Sequence, residues 1–506
     1  MAGKRYGDFG WGDGTLWGAS GNENLLYGLE IDWDGDSLFD GSNEADRMVQ
    51  YSVERGRNFL VRNDGMGFER FRPGTLTFKL ENTDGKYDAF LDSSPLFPNV
   101  VPGKFVKFAV TDGSTSTKYD LMRGRIENIQ PSRNNNARFV DITVKDGWRW
   151  LLDENASIAL QQDISTDAAI GLVLDDISWP TIWGRSLGAG DDTIPFYWED
   201  ARSGSASINE LVESEIGFFY IAANGQAVFI SRNTVISSEL TVSEDELLKD
   251  IGVPQPWEVN RNRIKVVTNP RILQSAKVLW TLGDRPKIEA GQSLELFADF
   301  TFEDRTVAAT ELTTPVESTD WTANDERGGG GSDLSSDFTM VITTAFAETA
   351  KIRISNNGSV AGFVTLAQLR GDAIDSPYSS SFIQDNSGSD QPRTFTFNTR
   401  YQQSTQQGAD VANFLGTILN EIKEFPEIRV EGRPSIQFAL DLGSRVTIEI
   451  PTLGIDDDYR IGAIRHESLN PTCQAVRTTW KTEPFSDLSA FWIHPSEIGI
   501  ETIQGY

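Results

Sequence analysis

Sulfur, imidazole and positive charge are all scarce in this chain of 506 residues. Its single cysteine, Cys473, excludes an intrachain disulfide framework and any cysteine-based zinc site. Two histidines, His466 and His494, leave few options for imidazole catalysis. Lys and Arg number 45 against 74 Asp and Glu, for a formal charge of −29. Sequence-independent binding of nucleic acid needs cations that displace counterions from phosphate, so the charge argues against that class. It suits a chain that must stay soluble at high copy number or high salt, or one that repels DNA. No apolar run approaches the ~20 residues of a membrane span, and the opening MAGKRYGDFGWGDG lacks a signal-peptide core. Synthesis in a cytoplasm, without export by a cleaved signal, is the expectation. The P-loop, G-x-S-x-G, H-E-x-x-H and strand-linked G-x-G-x-x-G motifs are missing too. No catalytic, cofactor-binding or metal-binding residue is therefore assigned, and an enzyme is not expected.

What the chain does have is aromatic residues and alternation. Apolar residues make up 39%, and 29 Phe with 13 Trp are enough to build several cores. The length suits three or four domains of roughly 100–200 residues. The first 150 residues read as short alternating strands between Gly and Asp turns, the pattern of a barrel or sandwich. In GTLTFKLENTDGKYDAF, Leu76, Phe78 and Leu80 share one face before the break at Asn82–Gly85. Helical period then appears twice, with Ser165 and Ser207 as expected N-caps and Gly217 as an expected stop. Asn224-Gly225 sits between two β runs as a hairpin turn. The amphipathic helix TQQGADVANFLGTILNEIKEF carries Val411, Phe414, Leu415, Ile418, Leu419 and Ile422 at a 3.6-residue period.

The expected class is mainly β with some α, in six segments. These are an arm at 1–29, a β-barrel domain at 30–150 and an α+β domain at 151–285. An inserted β-sandwich at 286–390, a helical connector at 391–430 and a second β-barrel with a tail at 431–506 complete the chain.

Three groups of residues could carry chemistry. Asp32, Asp34 and Asp36 alternate as in a calcium loop, but Ser37 and Asn43 stand where an EF-hand needs Gly and a bidentate Glu. A solvated acidic turn is the better reading, with a weak cation site as the alternative. His466 alternates with buried strand positions and reads as a satisfied histidine rather than a catalyst. His494 has no Cys or His partner at ligand spacing. The aromatics Phe9, Trp11 and Trp17, and the pair Trp179 and Trp183, read as anchors against a neighbouring subunit or, second, as sugar platforms.

The run DWDGD, YSVERGRN, FRPGTLTFKLENTDGKYDAFLDSSPLFPNVVPGKFVKFAV and RGRIENIQP resembles the N-terminal part of tail hub or tail-tip (baseplate hub) proteins of long-tailed bacteriophages. INELVESEIGFFYIAANGQAVFISR and LGSRVTIEIPTLGIDDDYRIGAIRHE are similar to later parts of the same family, in the same order, so the resemblance runs from about Glu30 to Lys481. The resemblance implies a structural virion protein at the distal tail tip. It would be a homotrimeric ring joining the tail tube, distal tail ring and tape measure to tip or fibre proteins, with a channel for DNA. It implies transient passage of DNA without specific binding, and no cofactor. The acidity would then flank the channel. No peptidase or lysozyme segment follows the closing barrel, so wall cleavage is expected of another protein. The competing expectation is a host-glycan-binding or glycan-cleaving protein acting through the sandwich and the Trp segments.

Overall fold

A computed structural model describes residues 24–484, apart from 42, 58–64, 66–67, 135–136, 233, 235, 248–250, 256–258, 377, 389 and 421–423. The chain is mainly β with some α. Its first six strands are β1 (Leu25–Ile31), β2 (Met48–Gly56), β3 (Arg72–Glu81), β4 (Phe105–Asp112), β5 (Thr117–Asn134) and β6 (Ala137–Lys145). They lie antiparallel in the order β1-β4-β5-β6-β3-β2. Period-2 alternation sends Leu76, Phe78 and Leu80 of β3 inward, where they meet Tyr51, Val53, Phe108 and Ile142 in one core.

The sheet does not stop at β2. Its free edge pairs antiparallel with the strand Ile455–Ser468, placing Val53 opposite His466 and Gly56 opposite Ala463. That strand also pairs with Arg445–Ile450 and with Val476–Pro484, while Leu240–Ser243 and Glu427–Glu431 extend the same sheet. The result is one sheet of eleven strands, and no sheet among the described residues closes on itself. The strands expected to form two separate barrels are thus halves of a single open sheet. Alternation fixes which face of a strand is buried, but it cannot name a partner hundreds of residues away.

Polar contacts pin this seam. The backbone N–H of Tyr51 donates to Ser468 Oγ at 2.9 Å, across 417 positions of sequence. Arg57 and Glu483, both buried, form a bidentate pair at 2.7–2.8 Å. Arg55 donates to Asp441 at 2.6 Å. Gly56 has φ +114°, and a Cβ there would lie 2.2 Å from the carbonyl oxygen of Gly462. The two backbones approach too closely for any side chain.

Against this sheet packs an α+β segment. The helix Thr166–Asp176 follows Ser165 as expected, although the Ser165 side chain makes no capping bond. The helix Gly204–Glu215 starts earlier than the sequence suggested, because Ser203 Oγ accepts the Ala206 N–H at 3.4 Å. Ser207 is therefore a buried residue inside the helix and not its cap. The left-handed C-cap falls on Ile216, while Gly217 is required by crowding, its Cβ position lying 2.8 Å from the Phe229 ring. Phe218–Ile221 and Ala227–Ile230 form the hairpin around Gly225, at φ +88°.

The strand Ile272–Thr281, ahead of position 286, pairs with the long strand Gly362–Asp375. With a facing three-stranded sheet they enclose a separate core around Phe300, Phe338, Ile352 and Leu369. Ser380–Asp385 instead pairs with Arg263–Thr268, which also takes Thr394–Asn398 and supports the helix Thr405–Leu419. Gly408 lets that helix approach, since a Cβ would meet Thr268 Cγ2 at 2.2 Å. The sandwich rests on the body through Trp198, which is buried with Ala308, Ala347 and Ile374. The Trp198 indole donates to Glu348 at 2.8 Å, and the guanidinium of Arg271 lies 4.6 Å from the ring. None of the described helices is long and apolar enough to cross a membrane.

The seam makes one substitution decisive. Gly56→Ala puts a side chain into a backbone contact at positive φ and should lower stability by about 2 kcal/mol or more. Urea unfolding followed by circular dichroism would show it. An unchanged midpoint would mean that the two strands do not lie so close.

Candidate functional site

The stretch Gly74–Phe90 runs from β3 into a loop of successive turns. Beyond β3, backbone N–H groups of Gly85, Asp88, Leu91, Ser94 and Phe97 each donate to the carbonyl three residues earlier, at 2.8–3.2 Å. The chain therefore winds as successive turns and satisfies its own backbone without a sheet partner. One carboxylate anchors it. Glu44, buried in the short helix Glu44–Arg47, accepts from Lys86 Nζ at 2.7–2.8 Å and from the Tyr87 hydroxyl. Burial first, and then the Glu44 carboxylate, push the Tyr87 phenol well above its ordinary pKa, so it stays a donor. Arg47 adds a bidentate pair to Asp84 at 2.7–2.8 Å, and Asn82 Oδ1 accepts the Tyr87 N–H at 3.0 Å.

The anchored loop buries Tyr87 and Val100 in the core and leaves four other apolar side chains facing water. Phe90 is 99% exposed, and Leu91, Phe97 and Val101, further along the same loop, are 37–44% exposed.

A groove of about 650 Å³ lies on the solvent face of the eleven-stranded sheet, across the seam. Register aligns Thr75, Glu54, Arg465, Thr479 and Arg429 in one cross-strand row. Seven Arg and Lys and three Glu line it, and Arg55, Arg57, Arg72 and Arg477 are held by Asp441, Glu483, Glu69 and Glu431, so cations and carboxylates balance there. Arg465 and Arg477 each hold a carboxylate, Glu467 at 2.8 Å and Glu431 at 2.6 Å.

The residues singled out in the sequence fall elsewhere. Asp32, Asp34 and Asp36 bring carboxylate oxygens within 4.8 Å of one another, one such acidic group among the described residues. Asp32 already accepts the N–H groups of Gly35 and Ser37 at 2.8 and 3.0 Å, the bonds of a turn. Asn43 serves as a cap, accepting from Ala45 and Leu29. His466 is buried, with Nδ1 2.9 Å from Thr478 Oγ1 and its ring against Phe438. Burial, and then the charge of Arg55, push its pKa down to about 3. Trp179 and Trp183 are buried in the chain's own core with ring centres 5.1 Å apart, and the Trp179 indole donates to Gly184 at 2.9 Å. This corrects the reading of them as subunit anchors or sugar platforms: Gly147 lacks a side chain where Trp179 packs, a fit that sequence spacing does not reveal. Phe9, Trp11, Trp17 and His494 lie outside the described residues. The groove gave no local signal because its cations come from five strands between positions 55 and 481.

No family model and no curated protein matches the chain. Among solved structures it is similar to a tail protein from Neisseria meningitidis MC58, at 10% identity and TM-score 0.49, over 90% of this chain and 96% of that one. It is also similar to the 43 kDa tail protein of prophage MuSo2 from Shewanella oneidensis, at 9% identity and TM-score 0.48, over 91% and 98% of the two chains. A prophage tail protein from Listeria monocytogenes EGD-e aligns over 91% of this chain and 96% of its own, at 10% identity and TM-score 0.39.

Two measurements probe the site. Glu44→Ala removes the acceptor shared by a half-buried ammonium and a buried hydroxyl, so it should cost about 2 kcal/mol and open the loop to trypsin at Lys86, whereas Phe90→Ala should change stability by less than about 0.5 kcal/mol. Equal effects would refute the anchor. His466 has a folded pKa below its unfolded value of about 6.5, so its contribution is complete above that pH and is lost as pH falls toward about 3. His466→Gln keeps a partner for Thr478 and should flatten stability against pH between 6 and 4 by up to ~1.4 kcal/mol per pH unit. Identical slopes would mean that the imidazole is protonated in the fold.

Proposed function

We propose that this chain is a structural tail protein of a bacteriophage virion. In this reading it acts as a hub at the distal end of the tail, working through surfaces rather than catalysis. The observation that carries the reading is the seam. The segments on which the sequence resemblance rests, β2 and β3 near the start and Ile455–Ser468 near the end, are neighbours in one sheet. A plate of this kind presents fixed surfaces to neighbours on both sides, which a part joining tube to tip or fibre requires. Three copies in a closed ring would repeat the same contacts around an axial channel.

The acidity supports passage of DNA through that channel. A wall poor in cations releases few counterions from phosphate and so does not hold the polymer. The distal tail ring, the tape measure and the tip or fibre proteins are the partners this role needs. Host-glycan binding is the second reading, and it rests on the sandwich, where Phe297 is 65% exposed on a strand face beside Lys351 and Glu295.

Mass and symmetry of the purified chain, alone and mixed with its neighbouring tail proteins, test the main reading. A closed ring with an axial opening is expected. A monodisperse monomer at micromolar concentration in both conditions would overturn it.

A further inference from the structure

The eleven-stranded sheet ends at β1, and that end is not left bare. In an antiparallel pair, alternate residues send their backbone groups to opposite sides of the strand. On β1 the even-numbered residues face β4. The bonds at its two ends show this, from the Gly113 N–H to the Asn24 carbonyl and from the Asp32 N–H to the Phe105 carbonyl. Leu25, Tyr27 and Leu29 therefore turn their N–H and C=O groups toward the outer edge. Two side-chain amides meet them there. Gln474 accepts the Leu25 N–H at 3.0 Å and donates to the Leu25 carbonyl at 2.9 Å, as a neighbouring strand would. Asn43 accepts the Leu29 N–H at 2.9 Å and donates to the Tyr27 carbonyl at 2.8 Å. Both amides are held in place. Asn43 Oδ1 also accepts the Ala45 N–H at 3.0 Å, and the Tyr27 hydroxyl donates to the Cys473 carbonyl at 2.6 Å, next to Gln474.

We infer that Asn43 and Gln474 close the end of the sheet against pairing with a second copy of the chain through β1. An open edge of seven residues is a template for another strand, whereas the far end of the same path, Leu240–Ser243, has only four residues. A second copy is the partner excluded, because this edge is self-complementary. Two β1 strands set antiparallel about Tyr27 match Leu25 with Leu29 and Tyr27 with its own copy. Each outward N–H then meets an outward C=O. The amides occupy a member of every such pair, Gln474 at Leu25 and Asn43 at Tyr27 and Leu29. Leu26, 55% exposed on the same strand, would add an apolar contact to the pairing. The amides win because they are tied to the chain, while a second copy must give up its translational and rotational freedom to bind. The inference does not need the ring reading. It says which edge stays out of any assembly the chain forms.

Two substitutions in the full-length chain test it. Gln474→Met removes one amide at similar size, and Asn43→Ser keeps a cap for Ala45 while withdrawing the other amide from β1. Melting curves first establish that each variant folds. In sedimentation, the double variant should form a species at least twice the mass of any that the parent forms at the same concentration. Adding Leu26→Lys places a charge on the edge and should abolish that species. A double variant that sediments like the parent at every concentration would overturn the inference, as would extra mass that survives Leu26→Lys.

Hydrogen exchange locates the contact independently. In dilute Gln474→Met, the Leu25 amide should exchange at least about tenfold faster than in the parent, while the Leu29 amide keeps its rate. In the associated double variant both amides should be slow again. An unchanged Leu25 rate in dilute Gln474→Met would mean that something other than this amide covers the edge, and the inference would fail.

Discussion

Everything in this chain hangs on the pairing of β2 with the strand Ile455–Ser468. A strand edge left open at β2 would expose a row of unpaired backbone groups, and a sheet manages that liability by covering or pairing it. Here the cover comes from the far end of the chain. The first six strands, the last three and the two short strands between them form one hydrogen-bonded surface. Gly56 and Gly462 give the seam its close approach, and the buried Arg57–Glu483 pair fixes its register from the side.

Charge is distributed according to the same plan. An acidic chain cannot bury many carboxylates without partners, and three buried ones have side-chain donors: Glu44 with Lys86, Glu483 with Arg57, Glu199 with Tyr401. These pairs sit where separate stretches of the chain meet. They are strong only as complete sets, since removing one member leaves a charge in a dry site. The sandwich follows a different rule. It has its own core and touches the body chiefly around Trp198, whose indole is held by Glu348 on one edge and faced by Arg271.

Local physics was legible in the sequence. The alternation of Leu76, Phe78 and Leu80 gave β3 its buried face, Asn224-Gly225 marked the hairpin, and the period of Val411, Phe414 and Leu415 placed the long helix. Partner choice was not legible. The closing strands looked like a second barrel because nothing in their pattern points to β2. Ser207 looked like a cap because the competing Ser203 lies only four residues earlier. Trp179 and Trp183 looked like anchors against a neighbouring subunit or, second, sugar platforms, because Trp-Gly clusters occur on surfaces and in tight cores alike, and only the space beside Gly147 decides between them. The groove was invisible for a related reason: its arginines are scattered in sequence and gathered by register alone.

The central claim is that the start and the end of the chain form one cooperative plate. Native-state hydrogen exchange on the amides of Ser52–Gly56 and Ala463–Glu467 measures this directly, because paired strands in one unit open together. The account predicts the same opening free energy for both sets, close to that of global unfolding, and a joint fall in the Gly56→Ala variant. Independent opening of the two sets, with one exchanging through a separate and easier transition, would contradict it.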